Sequence, residues 1–83
     1  MATVLIHFDT PGVPIVTGEL PTDPQTPIQN PVATGFVTNQ AFIVPAGTYC
    51  YGLQTDAAVT PLWQVVQAVD GEQTEASFRR RPA

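Results

Sequence analysis

Lysine is absent from this chain, histidine and cysteine occur once each, and no apolar run approaches the ~20 residues of a membrane helix. Each scarcity removes a class of function. The only cations are Arg79, Arg80 and Arg81, against seven acids, for a net charge of −4. Neutralising nucleic-acid phosphates needs a basic footprint, and one cluster of three arginines does not make one, so no nucleic-acid partner is expected. A single cysteine, Cys50, cannot close an internal disulfide, and it fits a reducing compartment. Cys50 and His7 alone do not make a closed zinc site, and no ligand pair has the usual spacing. Met1 to Asp9 has no basic start, long apolar stretch or small-residue cleavage site. The expectation is a cytoplasmic protein without a membrane span; the alternative is a domain excised from a secreted or surface protein.

The charged fraction is 12% and the hydrophobic fraction 43%. That is enough apolar material for a core, and it leaves a surface whose polarity comes largely from Thr, Gln and Asn. Such surfaces associate readily, so self-association or docking onto a larger body is a live option. Eighty-three residues make one domain, 1–83, which buries only about two-thirds of its unfolded surface.

The pattern along the chain is that of short strands. Thr3 to Phe8 alternates Val4, Ile6 and Phe8 against Leu5 and His7, then meets the turn signal Asp9-Thr10-Pro11-Gly12. Val13 to Thr17 is a second strand; Pro14 lacks an amide donor, which puts it at the start of that strand or along a sheet edge. Residues 20–31 hold Pro21, Pro24, Pro27 and Pro31 and read as an extended loop, either a stiffened crossover or a functional segment. Val32 to Val37 and Ala41 to Val44 follow as strands. In Thr48 to Leu53, Tyr49, Tyr51 and Leu53 share one face, while Thr48, Cys50 and Gly52 share a small one, as though another backbone packs there. Asp56 to Thr60 is a loop or one helical turn. Leu62 to Val69 and Glu72 to Arg80 flank Asp70-Gly71, the strongest short hairpin signal, and predict a ladder pairing Trp63 with Phe78 and Val65 with Ala76 on one apolar face. No segment has a sustained helical period. The expected fold is all-β: a small antiparallel β-sandwich of about seven short strands.

The series Thr10-Pro11-Gly12-Val13-Pro14-Ile15-Val16, Thr26-Pro27, Phe42-x-Val44-Pro45-Ala46-Gly47-Thr48-Tyr49-x-Tyr51-x-Leu53 and Trp63-x-Val65-x-x-x-Val69-x-Gly71 resembles PEGA-type domains. It is similar also to the wider prealbumin-like and carboxypeptidase-regulatory-like β-sandwiches. The Glu and Ala of the eponymous tetrad are missing, and Gln29 to Asn39 has no counterpart. The resemblance implies a seven-stranded sandwich acting as a structural, adhesive or docking module attached to something larger. It implies no chemistry.

The residues point the same way. Ser77 has no nucleophile elbow around it, His7 sits on the polar face of its strand, and Cys50 has no neighbouring cation to activate it. The acids are scattered over turns and loops. No catalytic residue, metal site or cofactor is expected, and the chain reads as a non-enzymatic structural or protein-interaction module. The residues singled out as a surface for a protein partner or a homo-oligomer are Tyr49, Tyr51, Arg79, Arg80 and Arg81. The arginines serve either as a solubilising end, 79–83, or as a contact for an acidic partner. The alternative function is a small carbohydrate-type binding module using exposed aromatics, with Tyr49, Tyr51 and Trp63 as its platform; the other reading of these rings is core.

Overall fold

Seven of nine strands build two facing sheets in the computed structural model, which describes residues 1–19, 21–23 and 26–81. Leu20, Pro24 and Gln25 of the proline-rich loop, and Pro82 and Ala83 of the basic end, lie outside the described residues. There is no helix among the described residues, and the all-β sandwich is the fold.

The first sheet has β1 (Ala2–His7) at its centre, flanked by β4 (Phe42–Val44) and β8 (Gln73–Ser77). Alternation decides β1: Ala2, Val4 and Ile6 are buried and the residues between them face outward. β4 runs antiparallel to it, but β8 runs parallel, in register from Thr3 opposite Gln73 to His7 opposite Ser77. A parallel neighbour needs a long connection, and between β1 and β8 the chain builds the whole second sheet.

That sheet is antiparallel throughout, in the order β3 (Gln29–Val37), β2 (Pro14–Glu19), β5 (Gly47–Leu53), β7 (Gln64–Ala68). Pro14 opens β2, the position where a missing amide costs least. A separate pair joins β6 (Val59–Thr60) to β9 (Arg79–Arg80), beside a cis Thr60–Pro61 peptide. Asp56 to Thr60 is thus a loop that ends in a short strand, not a helical turn.

The expected terminal hairpin is the main correction. β7 pairs with β5 and β8 with β1, so the two strands belong to opposite sheets. The turn between them exists, with the Glu72 amide donating to the Val69 carbonyl at 3.0 Å. Its positive φ is at Gly71 (78°) and not at Asp70, the pattern of a type II turn rather than the type I′ that matches strand twist. The flanking segments splay, and the chain steps across the sandwich. The inward set in β7 shifts by one: Val66 and Ala68 are buried and Val65 faces out, opposite the expectation, while Ala76 and Phe78 point inward as expected. Side chains tie the two edges together instead of a ladder, the Thr74 hydroxyl to the Gln67 carbonyl at 3.1 Å and the Gln64 amide to the Ser77 carbonyl.

The core lies between the sheets, with Val4, Ile6, Phe42 and Phe78 from one and Ile15, Tyr51 and Val66 from the other. Each such side chain stabilises the fold by about 1.5–3 kcal/mol on burial. Trp63 is not in this cluster. It is half-buried, and its indole N–H donates to the Thr26 carbonyl at 2.8 Å, tying the start of β7 to the proline-rich segment.

A polar corner closes one end. Thr38, 1% exposed, donates through its hydroxyl to the Thr10 carbonyl at 2.7 Å and accepts from the Val13 amide at 3.0 Å. Asn39, at φ 60°, brackets the peptide groups of Phe8 with its side-chain amide.

Candidate functional site: the uncharged side of the sandwich

From Pro24 to Thr55 the sequence carries no Asp, Glu, Lys or Arg. The fold puts the two edge strands drawn from this segment, β3 and β4, on the same side of the sandwich. The opposite side is formed by β7 and β8, and there Asp70, Glu72 and Glu75 cluster. The β7–β8 side carries this acidic cluster, whereas β3 and β4 are themselves uncharged, with Glu19 of β2 in register with Gln29 at one end of β3.

The neutral flank is also the less closed one. β7 and β8 are bridged by hydrogen bonds; between β3 and β4 the sandwich is filled by two stacked rings, Phe36 and Phe42, with centroids 4.3 Å apart and planes 9° apart. Above them runs a groove of about 460 Å³, walled by Val37, Gln40, Ala41 and Ile43. Val32 and Ile43 project from the two edges, 61% and 60% exposed.

β3 itself is nine residues long and almost wholly solvent-facing. Val32 and Ala33 keep regular register with Thr17 and Val16, and the register slips on either side of them. Asn30 (φ 50°) and Gly35 (φ 84°) lie at the slips, which marks them as bulges. The Thr34 hydroxyl repairs the second one, donating to the Ile15 carbonyl at 2.7 Å and accepting from the Phe36 amide at 3.1 Å.

The residues expected to form an interaction surface are dispersed. Tyr51 is 2% exposed and belongs to the core, which removes it from any surface. Its ring meets Phe42 edge-on at 5.7 Å and stacks on Tyr49 at 5.6 Å. Tyr49 is half-buried against the core, with its hydroxyl donating to the Pro45 carbonyl at 2.6 Å. Burial, reinforced by the neighbouring Tyr49, pushes the Tyr51 phenol up to about 12. Together with the N–H of Trp63 already engaged, these contacts leave no shared aromatic platform of Tyr49, Tyr51 and Trp63. Arg79, Arg80 and Arg81 are exposed. Arg80 is committed, its Nε to Asp9 at 2.6 Å, a second nitrogen to the Thr10 hydroxyl at 3.0 Å, and its guanidinium over the Phe8 ring.

On the outer face of the first sheet, His7 Nε2 lies 2.5 Å from Glu75 Oε1, and Ser77 is the register partner of His7. The three residue types are those of an acyl-transfer triad, but Ser77 makes no hydrogen bond to the imidazole. None of the three lines any of the five grooves described for the molecule. Cys50 is buried, and desolvation pushes its thiol up, away from the nucleophilic thiolate. No group of three or more potential metal ligands occurs among the described residues.

The small outer face of β5 is covered as its composition suggests. A Cβ on Gly52 would lie 2.8 Å from Ile28 Cδ1 and 3.3 Å from the Leu62 carbonyl oxygen. Beside them an apolar groove of about 220 Å³ runs between Val16, Pro31, Leu53 and Ala57.

Sequence reasoning passed over the neutral flank, although its signal was present: the distribution of charges along the chain, rather than their sum. The chain matches no protein-family model, no curated protein and no solved structure.

Proposed function

We propose that this protein is a non-enzymatic interaction module that docks to protein through the neutral flank formed by β3 and β4. One observation carries the reading: in an acidic molecule the two uncharged edge strands, β3 and β4, bring exposed Val32 and Ile43 and a groove of about 460 Å³ together on one side. Desolvating charges is costly, so protein interfaces are poor in charge at their centres, and exposed apolar patches mark such centres. The likeness to PEGA-type and prealbumin-like domains, which serve as structural or docking units, supports the same reading. A cytoplasmic setting suits the protonated, buried Cys50.

Site-specific photo-crosslinking in the cells that make the protein tests it. Val32→p-benzoylphenylalanine and Ile43→p-benzoylphenylalanine should each trap a protein, and the same photo-reactive residue at Gln73 on β8 should trap none. Adducts at Gln73 alone, or none at Val32 and Ile43, would overturn the reading.

A further inference from the structure

We infer that the partner on the neutral flank is a second copy of this chain, joined through β3 so that the four-stranded sheets of the two molecules become one. The inference rests on the docking reading above and names its occupant.

Charge limits how two copies can meet. Each carries −4, so close approach through any acidic face is repulsive. β3 and β4 carry no charge of their own, and the carboxylate in register with β3, Glu19, lies opposite Gln29 at one end of the strand; a two-fold contact near the middle of β3 therefore sets uncharged strand against uncharged strand. Val65 and Val69 are also exposed, but the acids Asp70 and Glu72 follow directly, and a two-fold there would bring carboxylates together.

The edges differ in what they offer. β4 is three residues long and stops at Pro45; β8 carries Glu75; β7 and β8 are held to each other by side chains. These are ordinary protections against strand addition. β3 has no charge to protect it. Its bulges at Asn30 and Gly35 and the amide-less Pro31 shorten the pairable stretch without abolishing it, leaving Val32, Ala33 and Thr34. Antiparallel self-pairing centred on Ala33, which sets Val32 opposite the counterpart's Thr34, uses that stretch once from each molecule. An isologous contact of this kind closes at two, because the two-fold spends the β3 edge of each copy. The exposed Val32 then meets its counterpart's strand. Ile43, on the facing edge, extends the contact across the groove. A stable interface takes about 800 Å² from each partner, close to one sixth of the 5042 Å² surface of this chain.

Sedimentation or light scattering on the whole protein from about 1 µM to about 1 mM, the range over which modest interfaces dissociate, should show the mass rising from 8.9 kDa to twice that value. Val32→Lys should hold the protein at the single-chain mass over the same range, with an unchanged far-ultraviolet dichroism spectrum. Gln73→Lys makes the same change of charge on the opposite flank and should leave the doubling intact. Ile43→Lys should weaken the doubling at least tenfold. A single-chain mass at every concentration would overturn the inference, as would equal loss of the doubling in Val32→Lys and Gln73→Lys. If the protein stays single yet Val32→p-benzoylphenylalanine traps a different protein in cells, the second copy is excluded while the docking reading stands.

Discussion

Asn39 holds Phe8 at both ends of its backbone: the Phe8 amide donates to Asn39 Oδ1 at 3.0 Å, and Asn39 Nδ2 donates to the Phe8 carbonyl at 2.8 Å. A single side chain thereby stands in for a missing strand at the point where β1 ends. The same residue sits at φ 60°, where most L-residues are strained and Asn is tolerated. Its two contributions are separable. Asn39→Gly keeps the conformation and loses the bracket, at a cost of about 1–2 kcal/mol; Asn39→Ala loses both, at about 3 kcal/mol. Thermal melts should rank wild type above Asn39→Gly, and Asn39→Gly above Asn39→Ala. Equal melting of the two variants would show that the conformation contributes nothing.

Gly18 and Gly52 both lie beneath Ile28, but different atoms block them. A Cβ on Gly18 would sit 2.4 Å from Ile28 Cγ2 and 2.5 Å from the Gln29 carbonyl oxygen, whereas on Gly52 its nearest obstacle is Ile28 Cδ1 at 2.8 Å. Gly18→Ala must move backbone and should cost about 3 kcal/mol, the upper end for overpacking. Gly52→Ala should cost about 1 kcal/mol. Ile28→Val removes Cδ1 and keeps Cγ2, so it should offset much of the Gly52→Ala loss and little of the Gly18→Ala loss. Denaturant titration of the three single and two double variants reads that coupling.

Trp63 holds the proline-rich segment rather than the core. Trp63→Phe removes the bond to the Thr26 carbonyl and should lower stability by about 1 kcal/mol, some 4–8 °C in melting temperature for a domain of this size. Phe42→Ala, which empties the stacked centre of the sandwich, should cost about 3–5 kcal/mol and exceed Trp63→Ala. The reverse order would return Trp63 to the core.

Alkali should destabilise the fold through Tyr51. In the unfolded chain its phenol ionises at an ordinary value of 10, and in the folded protein at about 12. Between those values the unfolded state binds fewer protons, so stability falls as pH rises above 10 and levels off beyond 12. Tyr51→Phe should flatten that decline while leaving the melt at neutral pH nearly unchanged. An identical decline in the variant would assign it to other groups.

How far the fold could be read from sequence depended on how local each feature was. β1 was legible because its burial alternates with every residue, and Pro14 because a strand accepts an amide-less residue at its first position. The small face of β5 pointed correctly to close packing by Ile28 and Leu62. The hairpin failed because Asp70-Gly71 is compatible with two turn types, and the choice between them depends on which sheet each flanking strand can join. The corner at Thr38 and Asn39 was invisible because its partners, Thr10, Val13 and Phe8, lie some thirty positions earlier in the chain. Tyr51 is open to both a surface and a core reading in the sequence, because an alternating strand does not say which of its faces is covered.

The rings of Phe36, Phe42, Tyr51 and Tyr49 touch in succession, from the floor of the groove to the far half of the second sheet. Chromophores held this close and this rigidly share their electronic transitions, so the chain carries its own optical gauge. Anything settling above Phe36 and Phe42 should register as a change in near-ultraviolet ellipticity, with no label attached to the protein.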